Sequence, residues 1–352
     1  MAAISGLLAA TDDNSPNIGI AYTTVIGSGG DTGDYQLDIY HLNERTRGSL
    51  PVVIGIHGGA WCIGDKSLTA FAKYKANFFV RKNKCLFVSI NYRLSPAGFL
   101  AGLGTALWSD TRVMFPNHYQ DQATAIRWVY DNISSYGGNP NKLILMGHSA
   151  GAQSATLLAT NHEFINAVGV PTSSIKGVIC VDTEGLNVLT QITNPVADGD
   201  ISDDPNDLRK VYENTFGIYP GLALHVGTLY RYKDFPLSTY GSSANAIAAA
   251  ETQYNRASPD QYLNTANIPK LMILSRGDST RTSRQNSFYS NMVTAGVAGT
   301  YICYPGATTT YTHTEISDCI GAPVDPPSGK TLPVGIGNVS TEITNFISSL
   351  NL

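Results

Sequence analysis

Charge is scarce in this chain. Asp, Glu, Lys and Arg make up 14% of its residues, against roughly 25% in an average soluble protein. Polarity must come instead from Ser, Thr, Asn, Gly and Tyr, a balance that suits a secreted protein better than a cytosolic one. Basic runs are missing as well. The 23 Lys and Arg are dispersed and the net charge is −4, which leaves no footprint for nucleic acid or an acidic membrane. No apolar stretch reaches the roughly 18 residues of a membrane span. The start, MAAISGLLAATDD, has neither the positive n-region nor the long apolar run of a secretory leader. The expectation is a mature chain, extracellular rather than cytoplasmic. Five cysteines form no CxxC pair, so neither zinc nor thiol redox chemistry is indicated. Cys85 and Cys180 sit in apolar runs and read as buried. Cys303 and Cys319 flank His313, where a disulfide between them would clamp that loop. No metal and no cofactor are expected. The acidic stretch ADGDISDDPNDL lacks the Gly of a calcium loop, and its twelfth position, counting from Asp198, is Arg209; it reads as a solvated turn.

What the chain does have is alternation. Apolar, β-branched runs recur with helical patterns between them, the signature of βα units and a mainly parallel sheet. The predicted strands are GIAYTTVI, YQLDIY, PVVIGIHG, CLFVSINYRL, KLILMGH, IKGVICVD, KLMILSRGD and TYICYPG. The first two are short and close together, so they should open the sheet as antiparallel partners. Helices are predicted over 68–83, 117–136, 150–161, 282–297 and 341–350; in the second, Ile126, Val129 and Ile133 share a face, and Gly137 and Gly138 end the run. Nothing reads as a linker, so residues 1–352 are expected to form one α/β domain. Two connections exceed a minimal crossover, about 96–115 and 184–268, and are expected to form a lid or pocket wall.

The strongest chemical signal is KLILMGHSAG. Gly147, His148, Ser149, Ala150 and Gly151 satisfy GxSxG between a predicted strand and a predicted helix, the setting that exposes a nucleophilic serine on a sharp turn. Upstream, His57, Gly58, Gly59, Ala60 and Trp61 close another strand. Glycines there let backbone N–H groups turn toward a developing oxyanion, and the amide of Ala150 adds a donor. The oxyanion hole is therefore expected at Gly58, Gly59, Ala60 and Ala150, with Trp61 and His148 as candidate pocket residues. Serine needs a base, and the base an orienting acid. Of seven histidines, His313 follows the last predicted strand, as the order serine, acid, histidine requires, whereas His41 and His118 precede the nucleophile. Asp278, at the carboxyl end of a predicted strand, is the leading acid. Asp182, Glu184 and Asp318 compete with it.

Together these motifs resemble the α/β-hydrolase superfamily, in its HGG-type carboxylesterase and lipase branch, which includes hormone-sensitive-lipase-like and kynurenine formamidase-like serine esterases. The likeness extends to LDIY near Asp38, GDK at Gly64–Lys66, NYRLSP at 91–96, FPNHYQD at 115–121 and GGNPNKL at 137–143. In that family the acid often stands in D-x-x-V followed four residues later by Gln. Asp278 and Gln285 keep the spacing, but Arg281 replaces the apolar residue. The resemblance implies an α/β-hydrolase fold with an eight-stranded, mostly parallel sheet. It also implies a cofactor-free serine carboxylesterase acting through Ser149, Asp278 and His313 on a small-molecule ester, short-chain or aromatic. A formamidase or amidase on the same triad is the alternative, and a non-catalytic binding protein a more distant one.

Overall fold

The computed structural model describes residues 17–21, 35–41, 49–96, 112–194, 205–220, 233–277, 279–305 and 310–352. Its strands are β1 (Asn17–Ala21), β2 (Gln36–Tyr40), β3 (Leu50–Ile56), β4 (Leu86–Ile90), β5 (Gly138–His148), β6 (Ile175–Val181), β7 (Lys270–Ser275) and β8 (Gly299–Cys303). They form one eight-stranded sheet in the order β1-β2-β4-β3-β5-β6-β7-β8. β1 pairs antiparallel with β2, and β2 antiparallel with β4; the remaining pairs are parallel. Both the strand set and the antiparallel opening follow the sequence expectation. Alternation along the strands divides the interior in two. Leu143, Leu145 and Val178 enter one cluster, while Ile144, Met146 and Ile179 enter the other, as a period of two requires when both faces of a sheet are covered.

The longer helices are α1 (Thr69–Asn77), α2 (Asn117–Asn132), α3 (Ala150–Thr160), α4 (Pro205–Phe216), α5 (Ser243–Arg256), α6 (Ser279–Thr294) and α7 (Val339–Ser349). Several predicted helix boundaries moved. α1 ends at Asn77 and continues as a wider π turn over Phe78–Lys82, and α2 tightens into a 3-10 turn over Ile133–Tyr136. There Gly137, at φ 96°, supplies the left-handed residue that ends the run. α6 starts three residues earlier than its apolar spacing suggested, because Gly277, at φ 81°, turns the chain directly off β7. The connection 184–268 contains α4, α5 and short helices at Val188–Thr193 and Leu237–Tyr240. Of the connection 96–115, residues 97–111 lie outside the described set, as does the acidic stretch 195–204. No described helix is long and apolar enough to cross a membrane.

Strand order reverses at β3. The chain leaves β3 for β4 on one side, then returns past β3 to β5 on the other. In open α/β sheets a crevice opens at the carboxyl ends of the strands flanking such a reversal. Here those ends carry HGGAW, after β3, and GHSAG, at the end of β5.

Candidate active site

Ser149 stands between β5 and α3 with φ 55° and ψ −122°, a left-handed, strained backbone for a residue with a side chain. Its neighbours make the turn possible. A Cβ at Gly147 would lie 2.0 Å from the Gly151 carbonyl oxygen, and one at Gly151 would lie 2.2 Å from that of Ile56. The elbow is thus pressed against the end of β3. α3 carries it on AGAQSATLLAT, rich in small residues, with all eleven positions buried.

The loop after β3 lies against the same elbow. A Cβ at Gly58 would come within 2.8 Å of the His148 carbonyl oxygen and 3.1 Å of the Ser149 Cβ. Gly59, Ala60 and Trp61 follow at φ 108°, 55° and 56°, three consecutive left-handed residues that fold the loop back on itself. The Cys62 and Ile63 amides both donate to the Gly59 carbonyl. His57 supports this loop from below. Its ring stacks on Tyr92 at 4.6 Å, its Nδ1 donates to the Gly58 carbonyl at 2.8 Å, and the Tyr92 hydroxyl donates to the His57 carbonyl at 3.0 Å. Burial pushes the His57 imidazole below its ordinary pKa, against a smaller opposing effect of the Gly58 hydrogen bond. The flanking motifs converge here too. Lys66 pairs with Asp38 at 3.2 Å, and Asn91 accepts from the Lys66 amide at 2.6 Å while donating to Asp65 at 2.8 Å. Arg93 forks onto Asp121 with two contacts of 2.8 Å.

His313 reaches the site from the loop before the short helix Glu315–Asp318. Its Nδ1 lies 2.7 Å from Asp182 Oδ2. Its carbonyl accepts from His148 Nε2 at 2.7 Å, and the two imidazole rings stand 4.5 Å apart. Asp182 follows β6 directly, is fully buried, and has φ 52°. Its carboxylate accepts from the Arg276 amide at 3.0 Å. Arg281 Nη1 donates to the Asp182 carbonyl at 2.7 Å and lies 3.3 Å from Oδ2. Burial alone would raise the Asp182 pKa; the Arg281 charge, the His313 hydrogen bond and the Arg276 amide outweigh it and hold the group well below the usual carboxylate range. Burial, reinforced by the neighbouring His313, pushes the His148 pKa well below that of a free imidazole.

Ser149, His313, His148, Gly58, Gly59 and Ala60 line one cleft of about 430 Å³, with Ile63, Leu68 and Asp318. Ala150 opens α3 beneath it. Trp61 stands elsewhere: it is 2% exposed, donates to Ser154 at 3.3 Å and packs edge-on against Tyr212 and Phe216 of α4, so among the described residues it is core rather than cleft wall. Asp278 lies outside the described residues, and the position beside His313 that the sequence reading gave to it is held by Asp182. The signal that favours Asp182 is register. His148 pairs with Val181, and the Ser149 amide donates to the Val181 carbonyl at 2.9 Å, so the residues after β5 and β6 emerge side by side. The disulfide considered between Cys303 and Cys319 does not form. All five cysteines are free: Cys303 sits on β8 beside Thr282, whereas Cys319 packs into the second apolar cluster.

A doubly wound sheet with a strained serine at the reversal point defines the class. The chain has the α/β-hydrolase fold. Within that class, residues 35–168 match the carboxylesterase family, a stretch that runs from the start of β2 past both the HGGAW loop and the serine elbow. Phenmedipham hydrolase of Pseudarthrobacter oxydans is 39% identical over 139 residues, 38% of this chain and 26% of that protein. Esterase P of Drosophila melanogaster is 34% identical over 160 residues, 45% of this chain and 26% of that protein. The matched part spans about a quarter of the length of these curated relatives. Among solved structures, a truncated carbohydrate esterase from gut microbiota superposes with a TM-score of 0.60 at 16% identity, covering 97% of this chain and 98% of that one. Esterase B from Lactobacillus rhamnosis gives 0.60 at 17%, covering 96% and 86%. At such identities the likeness is one of fold.

Proposed function

We propose that this chain is a serine carboxylesterase in which Ser149 is the nucleophile, His313 the general base and Asp182 the orienting acid. One observation carries the reading: the 2.7 Å contact of His313 Nδ1 with a buried, acceptor-only carboxylate, in the cleft that Ser149 also lines. That contact favours the tautomer with the proton on Nδ1, leaving Nε2 free to take the serine proton. Ser149 Oγ then attacks the ester carbonyl carbon. The carbonyl oxygen becomes the oxyanion, received by amides at Gly58, Gly59, Ala60 and Ala150. The imidazolium returns its proton to the leaving alcohol, and water releases the acid from the acyl-enzyme by the same steps. None of these steps calls for a metal.

The cleft suits a small substrate. Its volume falls in the range of small-molecule sites, about 300–1,000 Å³. Ile63 and Leu68 are 52% and 48% exposed, and apolar surface left uncovered at a cleft wall favours an uncharged, short-chain or aromatic acyl group. From the connection 184–268, α4 serves as backing for the loop after β3, a reading supported by the packing of Tyr212 and Phe216 on Trp61. The direct test is hydrolysis of p-nitrophenyl acetate by wild type and Ser149→Ala. A loss of turnover of around 10⁶ is expected with the fold retained, together with loss of labelling by a fluorophosphonate probe. Near-normal hydrolysis by the folded variant would overturn the assignment.

A further inference from the structure

Arg281 is an uncommon neighbour for a catalytic pair. Its side chain is only 5% exposed, and its Nη1 lies 3.1 Å from His313 Nδ1 as well as 2.7 Å from the Asp182 carbonyl oxygen. A guanidinium has donors and no acceptor. The 3.1 Å contact therefore joins two donors that converge on Asp182, whose Oδ2 is shared between His313 at 2.7 Å and Arg281 at 3.3 Å. The grip on the Asp182 carbonyl has its own consequence. Asp182 sits at φ 52°, where a residue with a Cβ needs outside support, and Arg281 holds its main chain while the Arg276 amide holds Oδ1 at 3.0 Å.

We propose that Arg281 is the positioning residue of the Asp182–His313 pair, and that its charge helps set the pH at which activity falls on the acid side. This rests on the reading of Ser149, His313 and Asp182 as a triad. A cation in contact with the imidazole opposes a second positive charge there. The surrounding charges set the sign. Asp182 and Glu184 face the pair from the end of β6, Arg276 from the end of β7, and Arg281 and Arg284 from α6. His148 faces it from β5. On the far side, Lys75 of α1 donates to the Ser317 carbonyl at 2.7 Å, near Asp318, and Glu315 is tied to Lys330 at 2.7 Å. Glu184 is the counterweight: it takes Arg281 Nη2 at 3.0 Å and Arg284 Nη1 at 2.5 Å. Removing the Arg281 charge and removing the Glu184 charge must then act in opposite directions.

The experiment measures kcat/KM against pH with p-nitrophenyl butyrate for the full chain and for Arg281→Gln, Arg281→Lys and Glu184→Gln. In Arg281→Gln the acid limb moves up by about one pH unit and kcat falls. Arg281→Lys holds the limb near wild type and recovers part of kcat. In Glu184→Gln the limb moves down. A limb that stays put in Arg281→Gln, or moves the same way in Arg281→Gln and Glu184→Gln, overturns the proposal, because a purely structural role changes kcat and Tm and leaves the limb alone. Should Arg281→Gln not fold, Arg281→Lys and Glu184→Gln still decide: a Glu184→Gln limb that is unmoved or higher overturns it. Activity that survives Ser149→Ala condemns the parent reading. A fixed limb on Ser149-dependent activity condemns this inference alone.

Discussion

Ser149 and Asp182 leave neighbouring strands at the same level, and both do so through a left-handed backbone, φ 55° and φ 52°. The Val181 carbonyl, one residue before Asp182, receives the Ser149 amide at 2.9 Å. Ser149 and Asp182 are thus joined through one main-chain hydrogen bond, and any shift of β6 against β5 moves both.

The two candidate acids give opposite forecasts. Asp182→Asn keeps the shape but removes the anion that holds the His313 tautomer, and turnover should drop by about 10⁴-fold. Asp278→Asn should cost less than tenfold. Steady-state rates on a p-nitrophenyl ester check both, and the reverse ranking would return the role to Asp278. Asp182→Ala should in addition destabilise the protein by about 3–5 kcal/mol, since it removes a buried anion that both Arg276 and Arg281 contact.

Glycine substitutions separate strain at the elbow from strain elsewhere. Gly151→Ala drives a methyl against the Ile56 and His57 carbonyls, at 2.2 and 2.5 Å. It should lower stability by about 1–3 kcal/mol and, by pushing the loop after β3 away from Ser149, cut kcat by about 10²-fold. Gly241→Ala, at φ 77° with open space around it, should cost about 1–2 kcal/mol and leave kcat untouched. Thermal melts with kinetics on the same samples give the comparison.

Acid should weaken the fold before carboxylates titrate. His57, His118 and His148 are buried and neutral, with His118 pushed down to about 3 by burial and the Arg93 charge. Each takes up its proton at lower pH in the native state than in the unfolded chain, which binds one below about 6.5. A depressed native pKa means stability that is complete above that pH and declines as pH falls toward the native value, by about 1.4 kcal/mol per pH unit for each group. Urea midpoints measured between pH 8 and 5 should fall, with proton uptake on unfolding. A midpoint constant over that range contradicts the burial of these rings.

Reductant should not change the melting temperature, because no disulfide exists to be broken. Cys303 is the one thiol of five with partial exposure. Cys62, Cys85, Cys180 and Cys319 are buried, each pushed up to about 12 by burial, with Asn214 and Thr156 opposing at Cys62 and Cys180. Titration with a chromogenic disulfide should count one thiol natively and five in denaturant.

Legibility in the sequence followed how local each signal was. That Ser149 and His313 would line one cleft was readable because GHSAG fixes a strand-to-helix turn and TYTHTEI follows the last strand, both properties of a short segment. The acid was not. Asp182 and Asp278 each end a strand run, and only the pairing of β6 beside β5 sets one of them next to the imidazole. Trp61 was ambiguous for the same kind of reason, since Tyr212 and Phe216, which enclose it, lie some 150 positions later. Arg281 was visible as a departure from a family pattern, but its partners Asp182 and Glu184 were visible only as rivals for the acid.

An eleven-residue helix with no exposed position leaves α3 nothing to vary freely. Every change in it alters the interior, so freedom to vary without repacking the core lies on surfaces that do not carry the serine. New substrate preferences would arise by remodelling the histidine loop and the long connections around an immobile pedestal, which makes those segments the rational targets for a directed library.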